Sequence, residues 1–382
     1  MTRLRPDSFR PALPALARID TPALVIDEPA LQSNIERMAA TAAANKVALR
    51  PHAKTHKSAA IARQQLEAGA VGIACATLLE AEALAREGVT GLLVTSPVVG
   101  TDKAARLARL NRVSPLMVVV DHRDQIEGLR AALADGDPPL GVLVDVDVGQ
   151  ARTGVTTLQD GHGLARMTAA DRRFEFRGLQ GYAGHIQHIF DPAERRAAAA
   201  KSGEPLRALA AVLAAEGIAC PIISGSGTGA HAYDLAGPYT ELQVGSYVFM
   251  DADYARVRRD DGSPLAFAPA LYVLATVVSA NRDDQVTVDA GTKALAVNGP
   301  APAWFIGLPA GASYSFSGDE HGAITLPPGT PRPAIGTRVL IGATHCDPTV
   351  NLHANYYAVD AGGAVSVLPI LGRYGAMGAV AP

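Results

Sequence analysis

The sequence predicts a parallel (β/α)8 TIM-type barrel followed by an antiparallel β domain. Two observations lead there. After residue 45, short apolar or β-branched runs alternate with segments of helical period rich in Ala, Leu, Arg and Glu. Beyond about residue 255 the helical period is lost, and short strands follow one another between Gly, Pro and Asp turns.

The barrel strands are expected at residues 47–52, 71–76, 91–96, 116–121, 140–148, 174–184, 221–224 and 241–249. Helices are expected at 56–70, 78–87, 102–110, 122–134 and 193–215, with a weaker piece at 164–170 and an earlier helix, 29–44, leading into the first strand. In the β domain, strands are expected at 271–280, 285–289, 338–341, 356–359 and 365–369, and the run 21–26 supplies one more. The expected division is therefore 27–255 for the barrel and 1–26 plus 256–382 for the β-rich domain.

Composition narrows the function. The 382 residues are 48% hydrophobic and 19% charged, with a net charge of −3, which argues against disorder and against a nucleic-acid partner. Cys75, Cys220 and Cys346 are odd in number and widely spaced, so neither a disulfide framework nor a cysteine zinc cluster follows. The basic N-terminus is broken by Pro6, Asp7 and Pro11 and lacks a signal-peptide core. No apolar run approaches the ~18–20 residues of a membrane span. The expected location is cytoplasmic.

Unusual polar residues collect where barrel strands end, the rim that forms active sites in this architecture. Strand one runs into His52, Lys54 and His56; strand five carries Asp145 and Asp147 ahead of Arg152; strand six carries Tyr182, with His185 and His188 beyond. Strand seven runs into SGSGTG, Ser224 to Gly229, and strand eight ends near Tyr254. Lys54 reads either as a solvated surface charge or as a desolvated amine, nucleophilic toward an aldehyde. Lys57 competes but reads as part of a helix start. The glycine loop reads as a plain turn or as a phosphate cradle, with exposed N–H groups and the hydroxyls of Ser224, Ser226 and Thr228. Arg152 reads as a helix-start arginine or as a cofactor contact. Tyr182 and His185, three apart, point to opposite faces if the strand still runs there.

The last constellation is THCDPTVNLH, Thr344 to His353. On an extended segment His345 and Asp347 face the same way and Cys346 faces opposite. Such a pair suits Mn²⁺, Mg²⁺, Co²⁺ or Zn²⁺ and leaves positions for water and substrate; the alternative is a hydrogen-bonded pair in a turn. His353 is a weaker further ligand. Within Asp319-Glu320-His321, read as a turn, Asp319 is the member expected near the site.

The segments TPALVIDEPALQSNI, LRPHAKTHK, VDVGQARTG, GYAGHIQHI, SGSGTG, ELQVGSYVFMDADY and THCDPTVNLH, in that order, resemble the D-threonine aldolase/D-serine dehydratase-like family. These are fold-type III pyridoxal 5'-phosphate enzymes related to alanine racemase. The resemblance spans the chain and implies an alanine racemase-like barrel, a homodimer and a divalent metal, manganese before magnesium, cobalt or zinc. It makes Lys54 the Schiff-base lysine, Arg152 the arginine near the pyridine ring and His185 the histidine packing by the ring. Tyr182 joins them at the cofactor. Ser224, Gly225, Gly227 and Thr228 become the phosphate loop, with Tyr254 added, and His345 and Asp347 the metal ligands.

The dehydratase branch typically has a cysteine two residues after the histidine. Here Asp347 stands there and Cys346 is out of register, which favours the aldolase branch. The implied reaction cleaves D-β-hydroxy-α-amino acids such as D-threonine or D-phenylserine to glycine and an aldehyde. Metal-bound water, His52 or His185 would be the base, and Asp319 and His188 would lie toward the substrate. The alternatives are a D-3-hydroxyaspartate aldolase releasing glyoxylate, or a D-serine or D-threo-3-hydroxyaspartate dehydratase.

Overall fold

The computed structural model describes residue 9 and residues 13–374. The parts of the expected β-rich domain at 1–8, 10–12 and 375–382 lie outside the described residues. The chain divides into two compact units, Met1–Arg37 with Ser246–Ile370 and Met38–Gly245 with Leu371–Pro382.

In chain order the strands are β1 (Ala23–Asp27), β2 (Ala48–Leu49), β3 (Ile73–Cys75), β4 (Leu92–Val94), β5 (Met117–Val120), β6 (Leu140–Asp145), β7 (Phe174–Gly181), β8 (Ile222–Gly225) and β9 (Glu241–Leu242). They continue as β10 (Leu271–Ser279), β11 (Gln285–Val288), β12 (Phe305–Ile306), β13 (Ser313–Phe316), β14 (Gly322–Thr325), β15 (Arg338–Gly342), β16 (Asn355–Val359) and β17 (Val365–Pro369).

In the unit Met38–Gly245 with Leu371–Pro382, β2 to β9 form one parallel sheet in the order β2-β9-β8-β7-β6-β5-β4-β3. The seam between β2 and β3 is bridged by the parallel pair His52–Ala74 and by N–H bonds from Val71 to Leu49 O (2.8 Å) and from Ala74 to Pro51 O (2.9 Å). The eight expected strands are thus present, seven of them shorter than expected and the strand expected at 221–224 displaced by one residue to Ile222–Gly225. Helices start where side chains cap them: Ser58, Thr77, Thr157 and Asp191 accept N–H bonds from Ile61, Glu80, Asp160 and Glu194.

Two helix expectations need correction. The single helix over 193–215 is two, Pro192–Ser202 and Glu204–Ala215, because Pro205 has no N–H to donate to the Lys201 carbonyl. The weak piece at 164–170 is the end of a full helix, Leu158–Ala169, whose period Gly161 and Gly163 obscure.

The inward face of the barrel is layered. Leu93, Val119 and Leu143 are fully buried and pack with Met117 and Ile222. One pleat step further along, on the same face, Asp145 pairs in register with Gln180, Gln180 with Ser224, and Ser224 with Glu241. An apolar plug therefore gives way to a polar row at the C-terminal ends of the strands.

In the other unit, the sheet runs β13-β14-β11-β10-β1-β16-β17, with β15 pairing β10 and β12. Its core gathers Phe9, Leu16, Val25, Tyr272, Leu340 and Val359, among others. The sheet is antiparallel as expected except that β1 runs parallel to β16, from Leu24–Tyr356 to Asp27–Val359. These strands are far apart in sequence, so no hairpin obliges them to run in opposite directions. Three short strands, β12, β13 and β14, of two to four residues each, are too short to be read from the sequence. The segment after Thr344, expected to be extended, is the helix Cys346–Leu352 with His345 as its N-cap residue. No helix among the described residues is long and apolar enough to cross a membrane.

Candidate active site

Lys54 sits at the end of the first barrel strand, on a 3-10 turn, Ala53–Thr55. The turn is capped by His52, whose Nδ1 accepts the Lys54 N–H at 3.3 Å. With Nδ1 accepting, the ring proton lies on Nε2, which donates to Thr95 Oγ1 at 3.0 Å; Thr95 in turn donates to Cys75 O at 3.1 Å. His52 is therefore engaged at both nitrogens in holding the lysine turn, a task different from that of a base. The competing Lys57 is not in the following helix, which starts at Ala59. Its ammonium pairs with buried Glu80 and reaches Gly372 O at 3.3 Å, so it ties down the segment at Leu371 and Gly372.

Beside this turn runs a hydrogen-bonded row across four strands. Arg50 pairs with Glu241 through two contacts of 2.9 Å, both side chains almost inaccessible. Ser224 Oγ donates to Glu241 Oε1 at 2.6 Å, and Gln243 Nε2 donates to Ser224 Oγ (2.8 Å) and Gln180 Oε1 (3.0 Å). Gln180 Nε2 donates to Asp145 Oδ1 at 3.0 Å, and Thr153 Oγ1 donates to Asp145 Oδ2 at 2.8 Å. Burial pushes the Asp145 carboxyl up to about 6, against the pull of the Gln180 and Thr153 hydrogen bonds. None of Arg50, Gln180, Glu241 and Gln243 was singled out from the sequence. The available signal was polar residues at alternate positions in an otherwise apolar strand, as in ELQVG.

The glycine loop after β8 is built by close approach. A Cβ on Gly229 would lie 2.0 Å from Gln187 O, and one on Gly225 would lie 2.1 Å from Gly181 O. Gln187 Oε1 accepts the N–H groups of Gly229 (2.9 Å) and Ala230 (3.1 Å), which fixes the far end of the loop. The one hydroxyl proton of Ser224 goes to Glu241, so this residue enters the loop through its backbone. Ser226 differs: its hydroxyl is buried close to Asp234 yet makes no well-formed hydrogen bond within the chain. Burial raises Asp234 to about 7, which lessens the negative charge beside the loop. A buried hydroxyl amid small residues, in loose contact with a carboxyl held toward its neutral form, fits an anionic phosphate.

Arg152 lies over the Tyr182 ring, 5.5 Å from its centroid, and both line a small crevice with Asp145, Gln150 and Thr153. The strand ends at Gly181, so Tyr182 and His185 lie beyond it and the alternation argument does not apply. His185 is on a 3-10 turn, its N–H bonded to Gln150 Oε1 at 2.6 Å. His185 lines a groove of about 740 Å³ with Gly149, Thr157 and Lys201; the groove adjoins the Arg152 crevice through Val146, Asp147 and Val148, while Lys54 and Arg152 themselves do not line it. His188 follows, half-buried.

In the β-rich unit, His345 and Asp347 stand at the start of the helix Cys346–Leu352, half-buried, while Cys346 between them is fully buried. Burial pushes the Cys346 thiol well above its ordinary range. The cysteine is thus core, and the His-x-Asp pair is what the helix start presents. His353 Nε2 bonds to Ala294 O at 2.9 Å; a carbonyl only accepts, so that nitrogen carries a proton. Among the described residues no three His, Cys, Asp or Glu side chains form a metal-binding group. Tyr254 is buried in this same unit, its N–H bonded to Asp251 Oδ1 at 3.0 Å. Asp319 lies exposed in the turn between β13 and β14, accepting from Thr292 Oγ1 at 3.2 Å.

A parallel barrel with a lysine turn at one strand end and a glycine loop at another, joined to a β-rich unit, defines an enzyme scaffold of the alanine racemase type. The family described as alanine racemase, N-terminal domain, matches residues 26–253, and that described as a serine dehydratase domain matches 270–359. The D-threonine aldolase of an Arthrobacter species is 40% identical over 95% of this chain and 96% of its own. The 3-hydroxy-D-aspartate aldolase of Paracoccus denitrificans strain Pd 1222 is 36% identical over 95% of both chains. Among solved structures, that of D-threonine aldolase from Filomicrobium marinum superimposes with a TM-score of 0.88 at 38% identity, covering 95% of this chain and 98% of that one. The chain belongs to the alanine racemase-like family that includes these aldolases. It is an enzyme, and these full-length relatives are carbon–carbon lyases.

Proposed function

We propose that the protein is a pyridoxal phosphate- and divalent-metal-dependent aldolase that cleaves D-β-hydroxy-α-amino acids to glycine and an aldehyde, with D-threonine the first substrate to test. The single observation that carries this is the helix start at His345: it presents an imidazole and a carboxylate while withdrawing the cysteine into the core. That donor set suits a hard or borderline divalent cation, Mn²⁺ foremost.

When bound, the cofactor supplies a sink for the electron pair released at Cα, and the cation supplies Lewis-acid charge at the β-hydroxyl. Lys54 would hold the cofactor covalently, presented by the turn that His52 caps. The backbone of Ser224, Gly225, Gly227 and Thr228, with the Ser226 hydroxyl, would bind its phosphate, and Tyr254 is assigned there by the family resemblance alone. Arg152, oriented by the Tyr182 ring, would face its polar edge. His345 and Asp347 would hold the cation. His185 keeps its place as a candidate base and as the histidine beside the ring by the family resemblance alone, its ring exposed and held by Gln150 at 3.3 Å. Asp319 and His188 remain assigned toward the substrate. The 27–255 barrel would bind the cofactor and the β-rich domain the cation, in a cytoplasmic homodimer.

The test is product identity from D-threonine, D-3-hydroxyaspartate and D-serine, each with and without Mn²⁺. Acetaldehyde and glycine from D-threonine support the proposal. Glyoxylate from D-3-hydroxyaspartate alone would narrow it to the reaction that the Paracoccus relative is named for. Keto acid and ammonia without aldehyde would replace it with a dehydratase. Asp347→Ala should lose the Mn²⁺-dependent activity and keep cofactor absorbance; full activity after chelation would reject the metal role.

A further inference from the structure

The backbone of the His345–Asp347 turn is held independently of the His345 ring. Asp251, fully buried, accepts the Cys346 N–H through Oδ2 at 3.0 Å and the Tyr254 N–H through Oδ1 at 3.0 Å. Thr349 Oγ1 donates to His345 O at 2.7 Å and accepts the Ala296 N–H at 3.1 Å. Thr344 Oγ1 donates to Ala296 O at 2.6 Å. These bonds fix the turn and lace it to the segment around Ala296. They leave the rotation of the imidazole unset.

That rotation is set by Asn298, whose side-chain amide lies 3.1 Å from His345 Nδ1. We propose that Asn298 is a positioning residue for the cation site, holding His345 by Nδ1 so that Nε2 is the nitrogen offered to a divalent cation. The inference rests on the reading of His345 and Asp347 as cation ligands. A neutral imidazole has one N–H and one lone pair. If the cation takes the lone pair of Nε2, Nδ1 carries the proton and needs an acceptor. The carboxamide offers one, because turning its plane by half a revolution exchanges the nitrogen for the oxygen at the same contact. Nδ1–H then donates to Asn298 Oδ1, which fixes the tautomer and aims the ring. Asn298 is exposed and His345 half-buried, so the contact is not part of a packed core.

The experiment is a Mn²⁺ titration of the cofactor-loaded protein, with free Mn²⁺ followed by electron paramagnetic resonance, for wild type, His345→Ala, Asn298→Ala and Asn298→Asp. Asn298→Ala should weaken Mn²⁺ binding by about tenfold or more, with unfolding midpoint and cofactor absorbance unchanged. Asn298→Asp, whose carboxylate can only accept, should bind Mn²⁺ at least as tightly as wild type. Wild-type affinity in Asn298→Ala, or an Asn298→Asp as weak as the alanine variant, overturns the inference. Wild-type affinity in His345→Ala overturns the cation reading itself, and the inference with it.

Discussion

Asp145 gives the sharpest test of the polar row inside the barrel. Its two oxygens accept from Gln180 and Thr153, and burial raises its pKa from an ordinary 3.8 to about 6. Below pH 4 the carboxyl is protonated in both the folded and the unfolded chain and contributes no pH dependence. Between pH 4 and 6 the unfolded chain has released the proton that the folded chain still holds, so stability falls as pH rises. Above pH 6 both forms are ionised and the loss is complete. From 3.8 to about 6, at about 1.4 kcal/mol per pH unit, that loss is about 3 kcal/mol.

Asp145→Asn removes the charge and keeps an acceptor for Gln180, while the Thr153 hydroxyl turns to accept from the new amide. Chemical unfolding of wild type and variant, run side by side from pH 4 to 8, measures the difference. The variant should gain relative stability steadily between pH 4 and 6 and then level off near that value. A difference that stays constant across the window would refute the reasoning, whatever its size.

Three further outcomes follow from the same geometry. Lys54→Ala should lose the visible absorbance that pyridoxal phosphate acquires on binding wild type, and a normal band in the variant would sink the lysine assignment. Glu241→Gln leaves the Arg50 guanidinium buried beside a neutral amide and should cost about 3–5 kcal/mol in unfolding free energy; a change under 1 kcal/mol, at the level of an exposed pair, would show that the row is accessible to water. Gly229→Ala places a methyl group against the Gln187 carbonyl, where backbone must move. It should weaken cofactor affinity more than Gly163→Ala, where nothing lies within 4 Å of the added carbon.

Much of the barrel was legible because parallel strands buried on both faces leave continuous apolar runs. The β12 to β14 region was not, since strands of two to four residues are too short to leave a period to detect. The break at Gly203 was legible in principle, from the missing N–H of Pro205. The polar row was not legible, because Gln180, Glu241 and Gln243 each look unremarkable until strand pairing brings them side by side.

The amino-acid order alone determined which chemical groups the protein possesses and roughly where the chain turns: Lys54 after an apolar run, the glycines of residues 225–229, and aspartate where a cysteine would change the ligand set. Those are local facts, written in neighbouring residues. Tertiary structure decided what each group is free to do. His52 became a cap for the lysine turn because Thr95, just beyond the end of β4, takes its second nitrogen. Ser224 became part of a buried network because strand pairing sets it against Glu241. His345 and Asp347 came to stand at a helix start rather than along a strand because Asp251 accepts the first helical N–H. Each outcome depends on a partner far away in sequence, and only the folded chain brings such a partner within hydrogen-bond distance.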